Sequence, residues 1–393
     1  MNTTFNFKSH AVKVMKFKPL SRIISITFIV FTGLIIYQSH SINKKLNNIQ
    51  FALSSNKVLT PKTSIISPFL LKYKILQSSL IPQPSYLLSA HSPSITRLPD
   101  GRLIAVWFAG THEGNPDVKI WQSYFIDNHW TAAQPIVRRE DITRDTGLFV
   151  KKLGNPVIYL DSHNILHLFV VSVATGGWSG SVINHLKSYD MGKAWQKPQR
   201  LYLTPFFNVS TLIRTTPVTL SDGGFYLPIY HEFINKYPEL LYFDSNGDLV
   251  YKKRITPQNK LIQPSILPIT QKDAIVYFRN HTISNAPLMY ATTKDAGISW
   301  GTLLSTNLHN QDSSLATTKI SGVYLMVRNI DTRGYLVLSS STDGVTWLDV
   351  LTLEHKTPLD EFSYPSISVY NDIIDIVYTW QRKYIKHARI LVS

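Results

Sequence analysis

From residue 85 onward the apolar positions fall into short strand-like runs, among them "RLIAVWFAG" (102–110), "ILHLFVVSV" (165–173), "AIVYFRN" (274–280), "VYLMVRN" (323–329) and "IIDIVYTW" (373–380). Polar turns separate them, and no long amphipathic helix competes. Two signals recur with the runs. A proline beside a strand marks "HSPSI" (91–95), "GNPVI" (154–158), "TTPVT" (215–219), "IQPSI" (262–266) and "SYPSI" (363–367), at steps of 63, 61, 47 and 101 residues. The longest step spans a proline-free unit near "DSSLATT" (312–318). The second signal is a turn: "SYDMGKAW" (188–195) has the spacing Ser-x-Asp-x-Gly-x-x-Trp, "TKDAGISW" (293–300) repeats it with Thr first, and "STDGVTW" (341–347) is one residue shorter. "FDSNGDL" (243–249) and "IDNHW" (126–130) are weaker copies, and the aspartates from Asp127 to Asp343 step by 63, 54, 51 and 48. Several strands per unit at a period of about fifty residues predict an all-β, six-bladed β-propeller over 81–393, with 75–90 completing the last blade's sheet.

The turn has a structural logic. Aspartate accepts from the turn's backbone N–H groups, glycine takes the positive φ, and tryptophan covers the hairpin end. These residues are expected to hold the fold and to do no chemistry.

Charge changes the picture at the N-terminus. The net charge is +15, but residues 1–80 carry eleven Lys/Arg and no Asp or Glu, which leaves 81–393 at only +4. That balance argues against a nucleic-acid partner. No charge lies between Arg22 and Lys44, "IISITFIVFTGLIIY" (23–37) is almost wholly apolar, and five basic residues precede it. The pattern predicts a basic cytoplasmic tail (1–22), a transmembrane or signal-anchor helix (23–40), a polar stalk (41–80), and a propeller held on the extracytoplasmic side of a membrane. A cleaved signal peptide is the rival, although "YQSHSINKK" is a poor cleavage site. With no cysteine, disulfides, thiolate metal sites and a cysteine nucleophile are excluded. The thirteen histidines form no H-x-x-x-H pair on a helix, so neither metal nor cofactor is expected.

The turn motif is the Asp-box, and its pairing with six units resembles the sialidase (neuraminidase) superfamily. "HSPSITRLPDGRLIAVWFAGTHEGNPDVKIW" (91–121) and "LEHKTPLDEFSYPSI" (353–367) with "IVYTWQRKYIKHARI" (376–390) look like the BNR-repeat sialidase-like proteins of bacteria and plants. The resemblance implies a retaining exo-glycosidase that removes a sialic acid or related acidic sugar from glycans. Such enzymes attack with a tyrosine, because a carboxylate would be repelled by the sugar's own carboxylate. An aspartic acid protonates the leaving oxygen and three arginines clamp the anion. On this resemblance Tyr364 is the nucleophile, Asp117 the acid, and Arg279 and Arg333 two of the clamping arginines, with Arg328 and Arg214 as further candidates. Two positions depart from the family pattern. His91 stands where the first arginine belongs, and Gln263 where the base glutamate belongs; Glu361 and Glu113 are the candidate replacements for the base. These departures leave two alternatives, a non-catalytic glycan-binding propeller and a hydrolase for another sugar. Trp178 is either a sugar-stacking loop residue or a buried hairpin tip, and "QRKYIKH" (381–387) reads as an outer, solvated strand face.

Overall fold

The structure, a computed structural model, describes residues 46, 48–53, 71–204, 208–282, 286–320, 322–357 and 359–393. All its strands lie within the unit Ile49–Ser393. They form six antiparallel sheets in chain order. The inner strands are Ser89–Arg97, Lys152–Leu160, Thr211–Ile213 with Val218–Thr219, Leu261–Pro268, Ala316–Ile320 and Phe362–Tyr370. The first inner strand packs against both the second and the last, so the six blades close into a ring. This is the predicted six-bladed propeller.

Closure is made by the N-terminal side. Tyr73–Leu80 adds as the outer strand of the last blade, antiparallel to Tyr384–Val392, with Tyr73 opposite Val392 and Leu80 opposite Lys386. A second stretch of the expected stalk is also part of the propeller. Ile49 and Phe51 are buried, and Phe51 N–H donates to Gln271 O at 2.8 Å while Ala52 N–H donates to Thr219 O at 3.0 Å. Both acceptors lie at the turns that end the inner strands of the third and fourth blades. The boundary at residue 81 is therefore too late. Among the described residues no helix is long and apolar enough to cross a membrane, and the segment 23–37 lies outside the described residues.

The Asp-boxes occupy the hairpins after the third strands. Asp343 Oδ1 accepts from Val345 N–H (2.8 Å), Thr346 N–H (2.7 Å) and the Ser341 hydroxyl (2.9 Å), and Gly344 sits at φ 75°. Each box also rivets neighbouring blades: Tyr277 of the fourth blade donates its hydroxyl to Gly344 O of the fifth at 2.6 Å. Tyr124 of the first does the same to Met191 O of the second at 2.9 Å. Asp343→Ala is expected to cost about 1–2 kcal/mol, seen as a melting temperature lower by about 2 °C, with ligand binding unchanged.

The proline openings are β-bulges. In four inner strands the residue before proline has a positive φ: Ser92 (55°), Asn155 (30°), Gln263 (51°) and Tyr364 (55°). In each case the pair of residues faces a single residue of the second strand, as Ser363 opposite Thr379 and Ser366 opposite Val377 show for Tyr364-Pro365. Proline has no N–H to lose from the ladder, and the bulge re-aims the preceding side chain. The serine after the proline ties one blade to the next: Ser94 Oγ accepts from Ile158 N–H (3.1 Å), Ser265 Oγ from Thr317 N–H (3.2 Å) and Ser366 Oγ from Ile95 N–H (3.2 Å).

Candidate functional site

The bulges lie at the end of the ring where inner strands begin and second strands end. Tyr364 is half-buried there, and its left-handed backbone is uncommon for a bulky residue and marks a position held by its surroundings. Three groups define its environment. Arg279, at the end of the fourth blade's second strand, donates from Nη1 to the Tyr364 hydroxyl at 3.2 Å. His91 meets the tyrosine ring edge-on with centroids 4.5 Å apart. Arg214 lies across the other side, its guanidinium carbon 5.2 Å from the ring centroid.

Arg214 plugs the axis. It is 2% exposed and donates to Pro93 O (3.1 Å) and Pro365 O (2.8 Å), and among the described residues it has no carboxylate partner. Burial lowers its pKa to about 10, so it stays charged at neutral pH. Beyond it, towards the opposite mouth, opens a cavity of about 830 Å³ lined by Thr215, Ser265, Thr317 and Lys319 among others.

Arg279 is held from behind by a polar chain. Its Nε donates to Asp312 Oδ1 at 2.7 Å, and the same oxygen accepts from His281 Nδ1 at 3.0 Å. Lys236 Nζ lies 2.8 Å from His281 Nε2 and 2.8 Å from Glu232 Oε1. Burial works against the Arg279 charge, but the Tyr364 oxygen and Asp312 outweigh it and raise its pKa. Burial likewise opposes ionisation of Asp312, yet the bond and charge of Arg279, with His281, keep its pKa below the usual carboxylate value.

A second cluster stands at the rim. Glu361 Oε1 accepts from Arg333 Nη1 (3.2 Å) and the Ser363 hydroxyl (2.8 Å), and Oε2 accepts from Arg382 Nε (2.5 Å). Arg382 Nη1 continues to Glu113 Oε2 at 2.8 Å, joining the last blade to the first blade's 111–118 loop. Burial opposes ionisation of Glu361, but Arg382, His91 and Arg333 more than compensate and bring its pKa down to about 2. Burial pushes His91 down to about 3, against the pull of Glu361, so its ring is neutral at pH 7. Both shifts weaken the fold in acid. The neutral, buried His91 costs stability as pH falls below about 6.5, and the Glu361 contribution is lost between about 4.5 and 2. Glu361→Gln is expected to flatten only the lower part of a stability–pH curve measured by urea melts, by about 2 kcal/mol after allowance for its partial exposure.

A family model described as BNR repeat-like domain matches residues 101–376. The chain belongs to the BNR repeat-like family. No curated protein matches this sequence. Solved structures similar to this BNR-repeat propeller include a Dyadobacter fermentans protein of unknown function, at 13% identity and TM-score 0.68, covering 82% of this chain and 99% of that one. The Hadza microbial sialidase is similar at 15% identity and TM-score 0.65, over 77% of this chain and 66% of its own. A Trypanosoma rangeli sialidase, in complex with the inhibitor DANA, is similar at 15% and 0.61, over 80% of this chain and 60% of its own. This chain thus spans about two thirds or less of those sialidases, and at such identities the likeness is one of fold.

The BNR-repeat propeller brings Tyr364, Arg279, Arg333, His91, Glu361 and Arg214 to one mouth, with Gln263 beside them. Gln263 Nε2 donates to the Tyr230 hydroxyl at 3.3 Å, and Asn155 Nδ2 reaches the same oxygen at 3.5 Å. Among the described residues no carboxylate bonds the Tyr364 hydroxyl, so neither Glu361 nor Glu113 sits where a base for it is needed; both are spent on arginines. Asp117 is exposed on the 111–118 loop, where Thr111 N–H (2.8 Å) and hydroxyl (3.0 Å) donate to it. Arg328 does not join the cluster. It turns along its own blade to Ser339 (3.0 Å) and Asp349 (2.8 Å), an intrablade pair. Trp178 packs its ring where a Cβ on Gly154 would stand, 2.5 Å away, with Lys152 Nζ 4.3 Å over it. The "QRKYIKH" run is solvated only in part, with Arg382 and Lys383 exposed at the turn. Arg382 stands in the rim, Lys386 pairs with Glu354, and His387 is buried against Asp375 at 2.9 Å. Arg382, Asp312, His281 and Tyr230 were not among the residues picked out by motif. The signal for Asp312 lay in its place at the opening of the proline-free unit; the structure adds that it shares the positive φ (50°) of the bulge residues.

Proposed function

We propose that this BNR-repeat propeller is a sialidase-like exo-glycosidase that releases a sialic acid or related acidic sugar from glycans with retention. The observation that carries the reading is Tyr364, a partly exposed phenol at an axial mouth with Arg279 on its hydroxyl and Arg333 and Arg382 nearby. Tyr364 attacks the anomeric carbon as the glycosidic C–O bond breaks, its phenolic proton passing to water at the open mouth. A water molecule then cleaves the tyrosyl–sugar bond to give net retention. The Arg279 bond favours the ionised phenolate over the phenol, which partly offsets the lack of a carboxylate base on the tyrosine. Asp117 protonates the leaving oxygen from a loop that the Arg382–Glu113 pair ties to the last blade. Gln263 and Tyr230 are placed to bond sugar hydroxyls or an amide. The propeller is further proposed to work outside the cytoplasm, tethered through 23–37; protease access to it in intact cells checks this.

A second reading has its own observation. Without a carboxylate on Tyr364, and with Gln263 at the bulge of the fourth blade, the mouth suits a propeller that binds acidic glycans without cleaving them. The full chain in detergent, assayed on a fluorogenic α-sialoside, separates the two. Release supports the hydrolase, binding of the sugar acid without release supports the binder, and neither binding nor release sinks both.

A further inference from the structure

We propose that Arg382, on the turn between the second and third strands of the last blade, joins Arg279 and Arg333 as the third arginine that grips a ligand anion in the mouth, supplied across the blade boundary beside His91. The inference rests on the acidic-sugar reading above. Four observations carry it.

The backbone places the residue with effort. Gln381 (φ 55°) and Arg382 (φ 52°) are consecutive left-handed residues in a turn with no glycine, a costly conformation for two long side chains. Arg382 O accepts from Ala90 N–H at 2.9 Å, so the turn is fastened to the residue immediately before His91. The guanidinium then reaches back over the mouth.

Glu361 shows what the arginines are arranged to hold. Its two oxygens are taken one each by Arg333 (3.2 Å) and Arg382 (2.5 Å). A carboxylate between two guanidiniums is the geometry in which a ligand carboxylate would be gripped. Glu361 is thus an internal counter-ion that keeps both forks preorganised and that an incoming sugar acid displaces or shares.

The charge of the cluster is unbalanced. Arg214, Arg279, Arg333 and Arg382 face the carboxylates Asp312, Glu361 and Glu113, and His91 beside them is neutral. One anion is needed to balance them. The mouth also holds polar atoms that want partners: among the described residues, His91 Nδ1, Gln263 Oε1 and Arg214 Nε are buried without a hydrogen bond. Each of these side chains is 2% exposed. Buried polar atoms are nearly always satisfied, so a polar ligand or water is expected among them.

The ligand class is therefore a sugar acid whose carboxylate lies on Arg279, Arg333 and Arg382 and whose ring lies over Tyr364. The competing role for Arg382 is that of a rivet, joining the last blade to the first through Glu113. Calorimetric titration of the full chain in detergent with N-acetylneuraminic acid and with its methyl ester decides between them. Wild type is expected to prefer the free acid. Arg382→Ala should weaken binding of the acid about tenfold or more and leave the ester unchanged, since a charged hydrogen-bonding group is lost. Arg382→Lys keeps the point charge without the fork and should fall between, which covers the case in which the alanine variant fails to fold. Glu113→Gln cuts the inter-blade bridge but keeps the cation, and should bind the acid at least as tightly as wild type. Full affinity for the acid in Arg382→Ala would overturn the proposal, as would an equal loss in Glu113→Gln. A wild type that does not distinguish acid from ester overturns the acidic-sugar reading, and the role of Arg382 with it.

Discussion

Tyr364→Phe is expected to lower release from a fluorogenic sialoside by at least about 10³-fold while changing the affinity for free sugar acid less than about threefold. The substitution is narrow. Phenylalanine keeps the ring that meets His91 at 4.5 Å and covers Arg214 at 5.2 Å, and it accepts the same bulge. Only the oxygen that Arg279 reaches at 3.2 Å is removed, and Arg279 retains Asp312 at 2.7 Å. The melting temperature should therefore move little, so a loss of turnover reports chemistry and not unfolding. Turnover that survives the change removes Tyr364 as nucleophile. Equal binding with no turnover in either form moves the balance to the glycan-binding reading.

The second large effect is on the ring itself. A fragment beginning at residue 81 lacks Tyr73–Leu80 and leaves Tyr384–Val392 as an open edge, with its N–H and C=O groups unpaired along seven register positions. It is expected to aggregate or to melt without a sharp transition, whereas a fragment beginning at residue 46 should melt as the full chain does. The difference is of several kcal/mol, because a lost outer strand also uncovers the apolar face of Ile390 and Val392 in the last blade's core. Matching melts for the two fragments would show that the closing strand is dispensable.

How much of this could be read from residues alone depends on distance along the chain. The fifty-residue period and the Asp-box turns are local signals, and they specify blades because each hairpin must satisfy its own backbone. Tyr364 and Arg279 were legible through motif. The limits show in "YFRN" and "MVRN", which put Arg279 and Arg328 at the same place in two successive blades. Arg279 pairs across from Ile262 of an inner strand and finds Asp312 by the axis. Arg328 lies one residue past the start of its inner strand, where Ala316 pairs with Val327, and finds Asp349 on the outer strand instead. The destination of each arginine is chosen by a carboxylate 33 or 21 residues away, which no local pattern states. Arg382 was misread for the same reason. Its partners lie 21 and 269 residues back, on another turn and another blade.

The strand that closes the ring also imposes a timetable. Tyr73–Leu80 leaves the ribosome before any blade, but its partner Tyr384–Val392 is made only about 300 residues later. At 5–20 residues per second the early strand waits roughly 15–60 s for its mate. Five blades can assemble in that interval, but the sixth cannot, and the mouth that holds Tyr364 has no fixed wall on that side until Tyr384–Val392 has emerged. Truncation late in translation would thus yield a nearly complete but open ring, its site unformed and its two unpaired edges free to recruit a neighbour.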